Sequence, residues 1–468
     1  MANLENTILN ITEKTITIDE MAIPESDASD FGGIHLPLIK INGYEFDIKE
    51  LGSFELNLTS FLPTIRVNVQ DKSMNFMSRF FPRDGDVINF LIRSNNEEVF
   101  KQIRIDFDIL SVSPQFRDKS SKLPTLFTIY GQMKVPNLLT EFCESYDMSS
   151  YDLFLEISQK LELGFATNEE NTNDKMKWIN PLDTTIKFLK DSLSNVYKDD
   201  TSFFTSYIDS YYNLCFININ KQFSIDSEIT ESEIYRVNDA RYTVSPDELK
   251  KDIQKAPLML TNHVTFEGTS KYITDYQMFN NSGTIFLMNG YKRYAQFFEV
   301  DGDQYVSEFV DPLTTEGSEN MVHLKGRLIK QGDNFVPEGV SDTHVKYKYL
   351  GKQDSRTDGN VHENFKYSEV LNFQNKTEIF KMGMNIVLES ADMTLTKFQS
   401  VPIFIFNYEE TAKSIQKEET VNSLDKTPLK NDFLSGDYVI ADITYFYNFP
   451  GPIKQRLTLL KREYIASI

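Results

Sequence analysis

Clustered positive charge is missing from this chain. Its 468 residues carry 48 Lys and Arg against 69 Asp and Glu, a formal charge of −21. Nucleic-acid affinity is built from grouped Lys and Arg, so this balance argues against a specific phosphate-binding surface. Long apolar runs are also lacking. No stretch approaches the ~20 residues that a membrane helix needs, and no membrane insertion is expected. The start, Met1-Ala-Asn-Leu-Glu5, has no basic leader pattern, which points to assembly in a cytoplasm. Cysteine is scarce. Cys143 and Cys215 both lie in apolar or aromatic surroundings and read as two buried thiols of a reducing compartment.

Recognisable catalytic spacings are absent as well. The five histidines are His35, His263, His323, His344 and His362, and none has a metal-ligand offset to another His or to a Cys. Walker, Rossmann and nucleophile-elbow patterns do not occur. Asp84-Gly85-Asp86 and Asp301-Gly302-Asp303 resemble calcium-ligand runs but lack the further carboxylates and the closing Glu, and Asp-Gly is what a tight turn needs. A glycosidase needs two carboxylates flanking a cleft, and with this many acidic residues the sequence nominates no pair. Phe203, Phe204, Tyr207, Tyr211 and Tyr212 offer either a sugar-stacking platform or strand-face packing, and packing is the preferred reading. No catalytic, cofactor-binding or metal residue is assigned.

Aromatic residues are plentiful, with 36 Phe and 23 Tyr, and they favour strands. From Ile34 to Met133 short alternating runs are separated by turn signals. Leu38 to Ile41 and Phe46 to Ile48 flank Asn42-Gly43, Phe54 to Leu58 and Thr64 to Val69 follow, and Val87 to Ile92, Ile103 to Ile109 and Leu126 to Tyr130 complete a closed or nearly closed barrel. The stretch 149–220 reads differently. Ser149-Ser-Tyr-Asp152 has capping-box spacing, Leu153, Phe154, Ile157 and Leu161 share a helical face, and Gly164 supplies a left-handed stop. Asn180-Pro181 opens a second helix carrying Ile186, Leu189, Leu193 and Val196, with Trp178, the lone tryptophan, packed between that helix and a hairpin of Ser202 to Ile208 and Asn213 to Ile219.

Farther on, strands are expected at Leu258 to Phe266, Tyr272 to Met278, Ile386 to Leu388, Met393 to Leu395 and Ile403 to Phe406. A helix is expected at Tyr367 to Met382, with Val370, Phe373 and Phe380 on its apolar side. Tyr438 to Tyr447 and Arg456 to Leu460 close the chain, and their order echoes the first barrel. The resulting fold class is α+β, mostly β. The parts are an N-terminal arm (1–33), a first barrel (34–135), a central helix-plus-hairpin domain (136–224), a linker (225–255) with a short helix after Ser245-Pro246, and a second barrel (256–290 and 383–468). Residues 291–382 are an insertion ending in a helix, and a polar loop spans 409–430. The arm either adds to a sheet on a neighbouring subunit or is a partly disordered leader.

Leu161-Glu-Leu-Gly-Phe-Ala166, Asn171-Thr-Asn-Asp-Lys-Met-Lys-Trp-Ile-Asn180 and the run from Asp200 to Leu214 resemble the central domain of baseplate hub proteins of contractile-tailed bacteriophages. Leu62-Pro-Thr-Ile-Arg-Val-Asn-Val-Gln-Asp71, followed by Gly85-Asp86, is similar to the first tube-like domain of that double-barrel family, which is related to the hub part of type VI secretion spikes. The resemblance implies a structural protein of the virion tail and not an enzyme. It implies a homotrimer whose six barrels join a hexameric tail tube to a trimeric cell-puncturing spike. Its partners would be tail tube or tube-initiator proteins, the central spike, baseplate wedge proteins and the tape measure protein, with DNA passing through the channel and no cofactor. A tail-associated enzyme that degrades cell wall or polysaccharide is the alternative.

Overall fold

The computed structural model describes residues 9–12, 37–47, 49–71, 76–83, 85–92, 103–115, 125–223, 260–261, 273–281, 292–299, 304–310, 328–331, 334–337, 343–350, 361–389, 391–393, 395–405 and 433–462. The linker, the loop 409–430, the Asp301-Gly302-Asp303 turn, His35, His263 and His323 lie outside them. The architecture is α+β and mostly β, as the sequence implies.

The chain begins with β1 (Leu9–Thr12), and the first strand unit holds β2 (Leu38–Ile41), β3 (Tyr44–Glu45), β4 (Leu51–Asn57), β5 (Thr64–Asp71), β6 (Val87–Ile92), β7 (Ile103–Gln115) and β8 (Thr125–Met133). At the β2–β3 turn Asn42 and Gly43 take φ of 53° and 78°, the left-handed pair that this two-residue hairpin requires. β3 therefore ends earlier than the Phe46 to Ile48 strand expected. Asn42 donates its amide to the Asp86 carboxylate at 2.7 Å, and the Arg83 N–H donates to the same oxygen. These bonds, that from Arg83 foremost, hold the Asp86 pKa below its ordinary value and occupy the carboxylate in a turn. Alternation places Ile103, Ile105 and Phe107 inside and leaves Asp108 exposed. The sheet curls strongly. β4 and β6 are four places apart on the ladder, which in a flat sheet means about 19 Å, yet the Phe54 and Phe90 ring centroids lie 5.6 Å apart.

The central unit contains β9 (Glu141–Met148), α1 (Ser150–Lys160), β10 (Gly164–Thr167), β11 (Met176–Thr184), α2 (Thr185–Ser192), β12 (Phe204–Ile208), β13 (Asn213–Asn218) and α3 (Ile219–Gln222). The cap of α1 forms as expected: Ser149 Oγ accepts from the Asp152 N–H at 3.2 Å. Its stop does not. Glu162, at φ 58°, takes the left-handed position, and the Leu163 N–H closes back on the Ser158 carbonyl at 2.8 Å. Gly164 is already in β10, paired with Asn213. Asn180-Pro181 likewise opens no helix. Pro181 lies in β11 opposite Cys143, the Asn180 amide group bonds both the N–H and the carbonyl of Asp183, and α2 starts only at Thr185. β9 and β11 form their own two-stranded sheet, in which the missing Pro N–H is tolerated.

A four-stranded sheet runs β1-β10-β13-β12. The arm's strand adds to a sheet of its own chain, Leu9 opposite Thr167. The bare edge of β10 is the nearest template for it. α1 packs on this sheet through Phe154, whose ring stacks on Phe216 at 4.5 Å, with Phe204 on the other side of Phe216 at 4.6 Å.

The second strand unit opens with β14 (Leu260–Thr261) and β15 (Ile273–Asn280). The insertion follows with β16 (Lys292–Glu299), β17 (Gln304–Val310), β18 (Leu328–Gln331), β19 (Asn334–Pro337), β20 (Thr343–Leu350) and α4 (Phe365–Ile379). β21 (Met382–Leu388), β22 (Ser400–Phe404), β23 (Gly436–Asn448) and β24 (Ile453–Leu460) then complete the unit. Met393 lies in a turn and Leu395 in irregular chain, so the strand expected there is absent. On α4, Val370 is buried but Phe373 is 39% exposed. Asn372 and Asn375 face inward instead. Asn372 donates to the Ser194 and Val196 carbonyls, both at 2.9 Å, and Asn375 to those of Asp200 and Ser202 at 2.9 and 3.0 Å. The end of the insertion is thereby pinned to the central unit. Asn372→Ala leaves two carbonyls short of a donor and should cost about 1–3 kcal/mol in chemical denaturation.

The two strand units share one wiring. The first ladder runs β2-β6-β7-β8-β5-β4 and the second β14-β22-β23-β24-β21-β15, the same permutation of six strands once β3 and the insertion strands β16 to β20 are set aside. The first pairing alone differs in sense, β2·β6 being antiparallel and β14·β22 parallel. Even the irregularities match. β7 bulges between Ile109 and Ser111 and β23 between Ile440 and Asp442, at the same row of each ladder.

Candidate functional site: the junction of the strand units

The long strand β23 has one edge on β24 and divides the other between two partners. Gly436 to Val439 pair with β22, and Thr444 to Asn448 pair with β4 of the first unit. Among the described residues the two units are therefore not separately closed barrels; one 13-stranded sheet passes through both. The junction gives β4 a second partner and covers the part of the β23 edge that β22 leaves open.

Between the two partners of β23 lies Lys397, which sequence reasoning missed. Its side chain is 9% exposed, and Nζ donates to the Leu58 and Thr59 carbonyls, each at 3.1 Å. It lies 3.6 Å from Asp442 and over the Tyr207 ring at 5.0 Å. The Tyr207 hydroxyl in turn donates to the Lys397 carbonyl at 3.1 Å. One ammonium thus touches the first unit, the central unit and β23. Burial lowers the Lys397 pKa and raises that of Asp442, and each partly offsets the shift of the other. A second link joins the Asp106 N–H to the Tyr212 hydroxyl at 3.0 Å, and a third joins the Ile208 N–H to the Phe61 carbonyl at 2.8 Å.

The polar face of the sheet at this junction carries a hollow of about 210 Å³, lined among others by Glu55, Arg66, Asn68, Phe446 and Arg456. Its arginines lie against aromatic rings, Arg66 at 5.6 Å from Tyr130 and Arg456 at 5.5 Å from Phe446. Glu55 is the one carboxylate among its lining residues, so the hollow offers no acid–base pair. Around it the same face presents Asn57, Thr64, Thr128, Gln132, Thr444 and Thr458.

The aromatic set at 203–212 is packing. Phe204, Tyr207 and Tyr212 are buried, and Phe203 and Tyr211 are half-buried against the core. Cys215 is buried as expected, but Cys143 is exposed on β9, because that strand pairs with β11 alone. His362 is buried against Tyr197, with Nε2 3.2 Å from the Asn195 carbonyl, which gives it a packing role. Among the described residues no group of three or more His, Cys, Asp or Glu could hold a metal, and no helix is long and apolar enough to cross a membrane.

No family model and no curated protein matches the chain. Solved structures do. The 43 kDa tail protein of prophage MuSo2 from Shewanella oneidensis aligns over 92% of this chain and 99% of its own, with a TM-score of 0.50 at 8% identity. A tail protein from Neisseria meningitidis MC58 aligns over 92% and 97%, at 0.48 and 8% identity. An Escherichia coli component of the type VI secretion system, described as structurally similar to the T4 tail proteins gp27 and gp5, aligns over 92% and 79%, at 0.39 and 8% identity. The chain thus has the fold of the prophage tail protein. The resemblance to phage tail components read from the sequence agrees with this fold.

Proposed function

We propose that the chain is a structural hub of a phage-type tail baseplate, acting as a homotrimer that joins a hexameric tube to a trimeric spike. The repeated six-strand wiring carries this reading. Two like units per chain give six in a trimer, so one assembly meets sixfold symmetry on one side and threefold on the other. The fold shared with a prophage tail protein supports it. In this reading the polar face of the sheet lines a DNA channel. That face carries mainly Asn, Gln, Ser and Thr, with its arginines held on rings, and such a wall attracts phosphate weakly. Tube, wedge, spike and tape measure proteins are the partners, and the virion tail is the location. Sedimentation of the purified chain is expected to give a trimer, alone or with its spike; a monomer or dimer under both conditions would contradict the proposal.

A further inference from the structure

The repeated wiring relates residues of the two units row by row. Glu55, Arg66, Tyr130 and Ser111 form one row of the first ladder, and Gln277, Asn385, Thr458 and Asp442 form its counterpart in the second. By this correspondence β15 is the counterpart of β4, and the end of β7 is the counterpart of the end of β23. Inside the chain those counterparts meet: β4 pairs with the end of β23, Tyr445 opposite Leu56 and Phe446 opposite Glu55. The other two do not meet anything equivalent. Among the described residues β15 has a single ladder neighbour, β21, and β7 beyond Asp108 pairs only with β8.

Exposure records the difference. Phe54 and Leu56 of β4 are 1% and 0% exposed, whereas Tyr276 and Met278, at the same places on β15, are 42% and 41% exposed. The bulge residue Ala441 of β23 is 4% exposed, and its counterpart Leu110 on β7 is 62% exposed. Among the described residues two strand edges with matching geometry stand open, that of β15 at one end of the shared sheet and that of β7 where it overhangs its pairing with β6. A strand edge of this kind is a template for another chain.

We propose that β15 of one copy pairs with the end of β7 of a second copy, reproducing between chains the β4·β23 junction found within each. The correspondence fixes the register: Gln277 lies opposite Gln115, Met278 opposite Pro114 and Phe279 opposite Ser113. Pro114 supplies its carbonyl but no N–H, which shortens the ladder and leaves side-chain burial by Tyr276, Met278 and Leu110 as the main gain. The contact is head-to-tail, and it closes into a ring of three where successive copies are turned by a third of a revolution. It rests on the hub reading above and adds the surface and the register.

The test uses the full chain with Cys143→Ser, to remove the exposed native thiol, and with Gln115→Cys and Gln277→Cys, both at exposed positions. These two would face each other at a pair without mutual backbone hydrogen bonds, where the cross-strand separation suits a disulfide. Mild oxidation is expected to yield linked dimers and a closed linked trimer, with neither single-Cys variant linking in this way. Separately, Met278→Glu should raise the concentration for half-assembly by roughly tenfold or more while the monomer keeps its melting temperature. A trimer by sedimentation that fails to link and ignores Met278→Glu overturns this surface and leaves the hub reading standing. A monomer throughout overturns both.

Discussion

Replacing Trp178 by alanine is expected to lower the unfolding free energy by about 3–5 kcal/mol. The side chain is 3% exposed in β11, and its indole N–H donates to the Met148 carbonyl at 3.0 Å, so truncation opens a cavity and strips a buried acceptor. Because it is the lone tryptophan, the wild-type chain provides its own probe. Its emission should be that of a buried indole and should shift to the red in the same urea transition that reports global unfolding. Emission typical of exposed indole, or an alanine variant with unchanged melting, would refute the prediction.

The second large effect is expected at Lys397. Methionine keeps most of the apolar stem but deletes the ammonium, leaving Asp442 unpaired and the Leu58 and Thr59 carbonyls without this donor. Removing one partner of a buried pair typically costs 3–5 kcal/mol; because Asp442 is 36% exposed, about 3 kcal/mol is expected. The deficit has a pH signature. Burial already raises the folded pKa of Asp442, and loss of Lys397 removes the attraction that opposes this rise. A carboxyl with a raised folded pKa penalises folding at pH above that value, and the penalty fades toward the unfolded value of about 3.9. Lys397→Met should therefore lose most stability at neutral pH and recover part of it as the pH falls. Adding Asp442→Asn should restore stability at neutral pH and flatten this dependence. A deficit that is independent of pH and unaffected by Asp442→Asn would show that the ion pair contributes little.

Some residues speak for themselves in the sequence because the interactions they make are local. Asn42-Gly43 makes its turn with its own backbone, Ser149 caps the helix that it precedes, and the alternation from Ile103 to Phe107 needs only one wet and one dry face. Local signals also mislead when a distant partner competes. Gly164 and Pro181 carry strong helix punctuation, yet β13 claims the first and β9 the second. Asn372 and Asn375 look like the polar side of α4 until the carbonyls of residues 194–202 are brought opposite them. Phe373 is displaced to the surface by the same contact.

By itself the sequence determined the fold class, most strands of both units, the capped helix α1 and the resemblance to phage tail components. Each of these follows from neighbours a few residues apart or from recurring phrases. Tertiary structure alone decided how the units are joined. The Lys397 clamp and the strand β4 on β23 bring together residues more than three hundred positions apart, and no periodicity encodes which of several similar edges will meet. That choice is made by unsatisfied backbone groups and apolar side chains, which fill one pair of edges inside the chain and leave its counterpart open.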